Sequence, residues 1–427
     1  MSKQPRQNLI RMIGPGLLVA ATGVGAGDLA TGALTGSRLG TAVLWAVLVG
    51  AGLKFVLTEG LARWQLATGT TFLEGTSGYF GRLAHGVFLF YLLCWSYFVG
   101  AALMSACGVC AHAIFPLTDP VTDKRIYGLG HSALAVGLVL AGGYRLFEKV
   151  MTVCIVGMFI TVVLATCLMQ PDWSAVGRGL VIPSIPSADG SGLEWTIALL
   201  GGVGGTLTIL CYGYWIREEG RGDVRELRSC RIDLAVGYIM TAIFGVAMVI
   251  LGSRLGQGTG KGATLVVNLA DELQNSLGSS GLFARWAFLI GAWGAIFSSL
   301  LGVWQSVPYL FADYRNQSKR RATLPAIERP TLTVDVTGFD YRAYLFAIAT
   351  VPAVGLWMDF SQAQKLYAIV GALFIPMLAF ALLVLNGRES LIGQRHRNSW
   401  YTTGMLIVTL AMSLLAGWFA IRNKFGG

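Results

Sequence analysis

Eleven apolar segments dominate this sequence and limit what it can fold into. An α-helix needs about 20 mostly apolar residues to cross the hydrocarbon core of a bilayer. The segments lie at 12–37, 41–66, 84–112, 130–143, 148–170, 193–216, 231–253, 280–311, 342–358, 362–386 and 399–421. They predict an all-α polytopic membrane protein whose main partner is the lipid bilayer.

The composition excludes an ordinary soluble enzyme. Hydrophobic residues make up 54% of the 427 residues and charged residues only 13%, which is about half the charged fraction of a typical soluble domain. The sequence also lacks a Walker-type phosphate-binding loop and any Cys/His or Ser/His/Asp constellation suited to catalysis. We therefore expect a single transmembrane domain over 1–427, with no enzyme activity and no cofactor.

The net charge of +10 indicates membrane topology rather than nucleic-acid binding. The basic residues lie in short connections between spans, and cytoplasmic loops carry an excess of Lys and Arg. If the N-terminus is cytoplasmic, the inner segments hold 21 of the 32 Lys and Arg residues. We therefore expect a multi-pass protein of the cell (inner) membrane with a cytoplasmic N-terminus and an outside C-terminus. The sequence is compatible with a monomer.

One segment outside the spans has helical spacing. Residues 262–275 combine spaced apolar residues with both signs of charge, which predicts a surface helix outside the membrane. The other long connections, at 171–192 and 312–341, are too short to form a separate domain.

Two clusters of glycine interrupt spans 1 and 6, five spans apart. Glycine is a poor helix former, and lipid cannot satisfy freed backbone groups, so an unwound stretch must line a cavity. Matching interruptions in two halves indicate a transporter site at the interface of inverted repeats. We expect the first repeat of five helices over 1–170, the second over 193–386 and an eleventh helix at 399–421. The glycines are Gly23, Gly25 and Gly27 in span 1 and Gly201, Gly202, Gly204 and Gly205 in span 6.

Asp28 follows the first glycine cluster directly. A carboxylate near the bilayer centre costs about 2.5 to 3.5 kcal/mol on insertion scales, so it usually faces a cavity or a partner. Two simpler explanations remain open. The glycines could serve close helix packing, and Asp28 could only cap the second half-helix by accepting the amides of Leu29 to Thr31.

Span 2 contains two more charged residues, Lys54 and Glu59. They are five residues apart, so they face different sides of a helix and need different partners. Both are candidate internal charge partners. Lys54 either snorkels to the interface or pairs with a carboxylate.

Several short motifs, in order and with the right spacing, give the chain a family resemblance. The chain resembles the Nramp divalent-metal transporters. The resemblance implies a LeuT-like fold of eleven helices, in which an ion binds between the broken helices 1 and 6. The motifs are Gly14-Pro15-Gly16-Leu17-Leu18-Val19-Ala20, Ala30-Thr31, Ala67-Thr68-Gly69 and Glu148-Lys149-Val150.

The signature motifs of the family are replaced. Its Asp-Pro-Gly-Asn motif corresponds here to Gly25-Ala26-Gly27-Asp28, so the first acid is lost and a new one stands at the Asn position. Leu207, Thr208 and Ile209 take the place of Met-Pro-His in helix 6. Ala368 takes the place of a glutamine in helix 10, and the predicted helix 3 at 84–112 contains no acid.

These replacements change the expected chemistry. Leu207 offers no lone pair, so the soft thioether ligand that favours transition metals is lost. Asp28, the Thr208 hydroxyl and freed carbonyls around Gly25 and Gly204 would form an all-oxygen site, which suits a hard ion such as magnesium or manganese. Without a histidine in helix 6 or an acid in helix 3, we expect transport that is not proton-coupled. The chain is thus similar to the Nramp-related magnesium transporters, and the divalent cation is its substrate.

A small organic solute is the alternative substrate. In that hypothesis the LeuT-like fold carries an amino acid or an amine, and Asp28 pairs with the substrate ammonium. The loss of both signature motifs and the presence of Lys54 keep it open. A metal-sensing receptor is disfavoured, because the sequence has no soluble output domain.

Overall fold

The computed structural model describes residues 14–186, 191–255, 264–323 and 334–425. This part of the chain is almost entirely helical. Seven helical stretches in it are long and apolar enough to cross a membrane by length and composition, and Trp400–Leu415 is a shorter apolar helix. The α-helices are α1 (Pro15–Gly23), α2 (Ala26–Leu39), α3 (Leu44–Thr68), α4 (Phe72–Ile114), α5 (Pro120–Leu168), α6 (Trp173–Val181), α7 (Ser191–Gly202), α8 (Tyr212–Glu218), α9 (Leu227–Ser253), α10 (Thr264–Ser276), α11 (Gly281–Thr323), α12 (Phe339–Thr350), α13 (Phe360–Ala372), α14 (Phe374–Leu385), α15 (Glu389–Ile392) and α16 (Trp400–Phe425).

Each predicted span overlaps a helix, although some spans join. Spans 4 and 5 form the single helix α5, which bends at Gly143, where φ is +57°. The second half of span 1 continues into span 2 within the stretch Gly27–Thr68. Span 9 is shorter than a full crossing helix, because α12 passes into a 3-10 helix at Val351–Trp357. The predicted all-α polytopic architecture is confirmed.

Several helix ends differ from the predicted limits. Span 3 is predicted to begin at 84, close to the point where α4 resumes after a bend at Gly81, where φ is +78°. The turns before this bend were not predicted; they begin at Phe72, where Thr71 and Glu74 form a capping box. The helix therefore contains one acid, in its first turn. Span 8 was expected to end at 311, but α11 continues to Thr323. The helix predicted at 262–275 is confirmed as α10, whereas α6 was not predicted.

Helix α9 packs against α1, α2 and α3. At the crossing with α2, Gly36 faces the Val249 carbonyl and Gly252 faces the Ala33 carbonyl, so closely that a Cβ at either glycine would overlap backbone atoms. Close packing through small residues, one alternative for the glycine clusters, therefore explains glycines at this crossing.

The beginning of α1 is held by a carboxylate from α9. Asp233 accepts hydrogen bonds from the amides of Gly14 at 3.1 Å and Gly16 at 2.9 Å. It also pairs with Arg221 at 3.2 Å and accepts a hydrogen bond from the Tyr212 hydroxyl at 3.1 Å. These bonds satisfy amides that a helix N-terminus leaves without intrahelical partners.

Spans 1 and 6 are both broken within their length, as the fold prediction requires. In span 1 the helix stops at Gly23 and resumes at Ala26. In span 6, α7 stops at Gly202, and a 3-10 helix at Leu207–Cys211 leads into α8. We call residues 24–25 the first break and residues 203–206 the second break.

Candidate functional site

The two breaks lie against each other. A Cβ added at Gly23 would be 2.7 Å from the carbonyl carbon of Gly204 and 2.9 Å from the amide nitrogen of Gly205. Both glycines of the second break have positive φ, +83° at Gly204 and +81° at Gly205, a conformation that favours glycine. Glycine is therefore required here for contact between two non-helical backbones.

The first break leaves one carbonyl of α1 without its helical donor. The Gly25 amide would reach the Ala21 carbonyl in a continuous helix, but it bonds to the Gly23 carbonyl at 3.1 Å instead. The hydroxyls of Ser298 and Ser299 on α11 lie within hydrogen-bond distance of the Ala21 carbonyl, at 3.1 and 3.3 Å. Serines thus replace the missing backbone donor.

The remaining glycines of span 1 have different environments. The Gly25 carbonyl, expected as a free ligand, accepts the Leu29 amide at 3.0 Å and so begins the hydrogen bonding of α2. The Cα of Gly25 packs against the Ser299 hydroxyl. Gly27 lies inside the first turn of α2, beyond the break, and a Cβ there would be 3.5 Å from the Tyr367 ring.

Asp28 joins the two breaks. Its carboxylate is on α2 and accepts the Gly204 amide of the second break, with an Oδ2 to nitrogen distance of 3.4 Å. The residue is 8% exposed, and its Oδ1 atom is buried with no hydrogen-bond partner among the described residues. The capping alternative is not observed, since the N-cap of α2 is Gly25 and has no side-chain cap hydrogen bond. Asp28 therefore places one buried acceptor atom, Oδ1, at the junction of the two breaks.

Lys54 reaches the same junction from α3. The side chain is 2% exposed, and its ammonium donates a hydrogen bond to the carbonyl of Gly205. It also interacts electrostatically with Asp28. Lys54 is thus not a snorkelling residue. One acidic and one basic side chain thus bind adjacent residues of the second break.

Thr208 and two aromatic residues surround the second break. Thr208 is the second residue of the 3-10 helix after the break and is 6% exposed. Its hydroxyl would lie 3.0 Å from a Cβ at Gly205. Trp95 on α4 donates from Nε1 to the Thr206 hydroxyl at 3.2 Å, and the Tyr367 hydroxyl on α13 also bonds to Thr206. The two rings meet edge to face, with centroids 6.3 Å apart.

Glu59 belongs to a separate cluster. Its carboxylate pairs with Arg63 at 3.2 Å and with Arg231 of α9 at 2.7 Å. Arg63 also donates to the His396 carbonyl at 2.7 Å and to the Asn398 side chain at 2.8 Å. Glu59 and Lys54 therefore have different partners, as their spacing predicts, and Glu59 takes part in joining α3 to α9 and to the connection before α16.

Some residues at the site carry no sequence signal. Trp95 and Tyr367 resemble ordinary apolar helix residues, and the two serines of α11 lie in a long apolar stretch. The glutamine missing at Ala368 has a counterpart one turn earlier, since Gln364 donates to the Ala102 carbonyl of α4 at 3.0 Å. That side chain joins α13 to α4.

The described residues contain no group of three or more His, Cys, Asp or Glu side chains that could hold a metal ion. A cation bound at the junction would therefore depend on Asp28, hydroxyl and carbonyl oxygens, and water. Such a donor set consists of hard oxygen ligands only.

Comparisons with known proteins give one family. The model of the family described as natural resistance-associated macrophage protein-like (Nramp) matches residues 16–422. A protein of Chromohalobacter salexigens named divalent metal cation transporter MntH is 22% identical and covers 97% of this chain and 92% of the relative. A protein of the same name from Pectobacterium carotovorum is 24% identical over 97% of this chain and 95% of the relative.

Solved structures agree with this assignment. A mutant of the Eremococcus coleocola manganese transporter is 17% identical and superposes with a TM-score of 0.76 over 99% of this chain and 89% of that chain. MhsT in complex with L-phenylalanine is 14% identical, with a TM-score of 0.62 over 98% of this chain and 99% of that chain. These likenesses show a LeuT-like fold with two inverted five-helix repeats and an eleventh helix.

Proposed function

This chain belongs to the Nramp family, and from that premise we propose that it is a secondary transporter of a hard divalent cation, magnesium or manganese. It would move the ion across the membrane by alternating access. The observation that carries the proposal is the buried Asp28, whose Oδ1 atom has no hydrogen-bond partner among the described residues, at the junction of two broken helices. The metal is a substrate, and the proposal includes no cofactor.

The ligands in this proposal are oxygen atoms. Asp28 supplies the charge, Thr208 supplies a hydroxyl, and Gly25 and Gly204 supply carbonyl oxygens. Each carbonyl oxygen has two lone pairs, so the Gly25 carbonyl can bind an ion while it accepts the Leu29 amide. Few protein ligands leave room for coordinated water, which magnesium retains more readily than other biological cations.

We further propose that proton flux is not coupled to transport. Proton coupling requires groups that titrate in the transport path. Helix α8 and the 3-10 segment before it contain no histidine. The one acid of α4 is Glu74, whose carboxylate accepts the Thr71 amide in the capping box. A pH gradient should therefore leave metal flux unchanged, and proton entry that follows metal entry would contradict this part.

The membrane placement follows from the same proposal. The excess of Lys and Arg in alternate connections favours a cytoplasmic N-terminus and an outside C-terminus in the cell (inner) membrane. The two repeats would occupy 1–170 and 193–386, and a monomer would contain the complete site, because every residue named above belongs to one chain.

Uptake into proteoliposomes tests the proposal. The expected result is that Asp28→Asn abolishes manganese and magnesium uptake while the protein remains monodisperse. Asp271→Asn is the matched control, since it removes a carboxylate of α10 that pairs with Arg285 at 2.9 Å, and it should retain uptake. Undiminished uptake by Asp28→Asn would overturn the proposal.

A zwitterionic solute is the second candidate substrate. The observation that favours it is the presence of both charge signs at one junction, Asp28 for an ammonium and Lys54 for a carboxylate, beside the rings of Trp95 and Tyr367. Aromatic faces attract organic ammonium groups. Thermal unfolding with manganese, magnesium and a panel of amino acids separates the candidates, because a ligand of the folded protein raises its apparent stability. Stabilisation by amino acids alone would select the second candidate.

A further inference from the structure

Lys54 has a charge that the transport of a cation does not need. It is 2% exposed and among the largest fully buried side chains of the described chain. A charged group inside the membrane is costly unless it is paired or hydrogen-bonded. A residue of this kind at the junction of the two breaks therefore requires an explanation beyond packing.

The ammonium lies beside the groups that a cation substrate would use. It binds the carbonyl of Gly205, which is exposed by the second break, and it interacts with the Asp28 carboxylate, the one strong anionic group of the site. The adjacent residue, Gly204, donates its amide to the same carboxylate at 3.4 Å. Lys54 thus places a positive group close to the carboxylate on which the proposed cation site depends.

The charge balance sets a condition for metal binding. With Lys54 in place, the junction holds one basic group beside its one acidic group. A divalent ion added to that arrangement would face a like charge in a medium of low dielectric constant, where repulsion is strong. If the ammonium moves away, the same ion meets an unpaired carboxylate. The flexible four-carbon stem of lysine allows this movement without displacement of α3.

We propose that the Lys54 ammonium is a tethered cation that stands beside the Asp28 carboxylate in the empty transporter and leaves the Gly205 carbonyl when a divalent cation binds. The inference rests on the proposed function, because it assumes a cation substrate. Lys54 then determines affinity by competing with the metal. It also neutralises Asp28 in the empty transporter. The empty site can then open from one side of the membrane to the other without an unpaired buried carboxylate.

The chain provides a matched control. Lys124 on α5 is also buried, at 8% exposure, and its ammonium donates to a backbone carbonyl, that of Met358, at 2.8 Å. It resembles Lys54 in its burial and in the type of its acceptor, but it binds a carbonyl outside both breaks. Lys124→Met therefore reports the general effect of removing a buried lysine.

The test is binding of MnCl2 and MgCl2 to the purified full-length protein by isothermal titration calorimetry. Lys54→Met should bind the metals at least about tenfold more tightly than wild type, whereas Lys124→Met should bind as wild type does. Lys54→Gln removes the charge but retains a hydrogen-bond donor for the Gly205 carbonyl, so it gives a second variant if Lys54→Met does not fold. It should also increase affinity.

The outcomes separate this inference from the proposed function. If wild type binds manganese or magnesium and the Lys54 variants bind no more tightly, the tethered-cation inference is overturned and the proposed function stands. An equal gain for Lys124→Met also overturns it, because the gain would then be general. If neither wild type nor the Lys54 variants bind either metal, the proposed function is overturned and this inference falls with it.

Discussion

Replacement of Gly23 by alanine tests the contact between the two breaks. A Cβ at this position would lie 2.7 Å from the Gly204 carbonyl carbon, 2.9 Å from the Gly205 amide nitrogen and 3.1 Å from the Gly204 oxygen. All three are backbone atoms, which cannot rotate aside as the end of a flexible side chain can. The alanine must therefore push the breaks apart.

Gly27→Ala is the matched comparison. Gly27 belongs to the same glycine cluster, but a Cβ there would lie 3.5 Å from the Tyr367 ring, which is an ordinary van der Waals contact. Alanine in place of glycine inside a helix is favourable by about 0.8 to 1.0 kcal/mol. Gly27→Ala should therefore be neutral or slightly stabilising.

The magnitude for Gly23→Ala follows from the overlap with backbone. Overpacking of a filled interior costs about 1 to 3 kcal/mol, and the gain in helix propensity is reduced because Gly23 is the last residue of α1. We expect unfolding at a lower temperature than for wild type, with Gly27→Ala at or above wild type. Tryptophan fluorescence of the detergent-solubilised protein during heating measures this order. Equal transition temperatures for the two variants would refute the contact as described.

Two further predictions concern polar groups that are not proposed as cation ligands. Glu59→Gln should lower the unfolding temperature, because Arg63 is 4% exposed and would lose the carboxylate that pairs with it. Breaking such a buried pair costs about 3 to 5 kcal/mol. An unchanged unfolding temperature would contradict this prediction. Ser298→Ala and Ser299→Ala should each have a small effect, since either hydroxyl can reach the same carbonyl at the end of α1. The double variant should be destabilised by about 1 to 3 kcal/mol, which is the cost of leaving a buried acceptor without a donor. If the effect of the double variant in the same thermal assay is only the sum of the two single effects, the prediction is wrong.

The sequence was sufficient to predict the breaks and Asp28 because their signal is local. A cluster of glycines weakens a membrane helix, and an adjacent acid is costly in lipid unless it faces a cavity or a partner. The partner of Lys54 could not be predicted in this way. Its hydrogen bond to Gly205 joins residues 151 positions apart, and it depends on how far α3 is rotated and shifted relative to the second break.

Other features failed to appear in the sequence for related reasons. The turns of α4 before the bend at Gly81 were not predicted, because they begin at the capping box of Thr71 and Glu74 and hydropathy does not detect a cap. Trp95 and Tyr367 look like core residues, and only their shared contact with Thr206 places them at the site. Residue type alone cannot distinguish an aromatic residue that lines a site from one that fills a core.

The anchoring of α1 has a consequence for how the molecule can open. The helix is nine residues long, about 14 Å, and both ends are held by polar contacts, through Asp233 at its start and through Ser298 and Ser299 at its end. A hydrogen bond of this kind is worth only about 0.5 to 1.5 kcal/mol net between neutral groups, and about 1.5 to 3 kcal/mol when a carboxylate such as Asp233 accepts it, because water offers a replacement. The contacts at the two ends of α1 can therefore separate when water enters between the helices and re-form when water leaves. Water cannot replace the close packing of α2 on α9 in the same way. A rocking motion would therefore move α2 and α9 together, with the hinge at the first break.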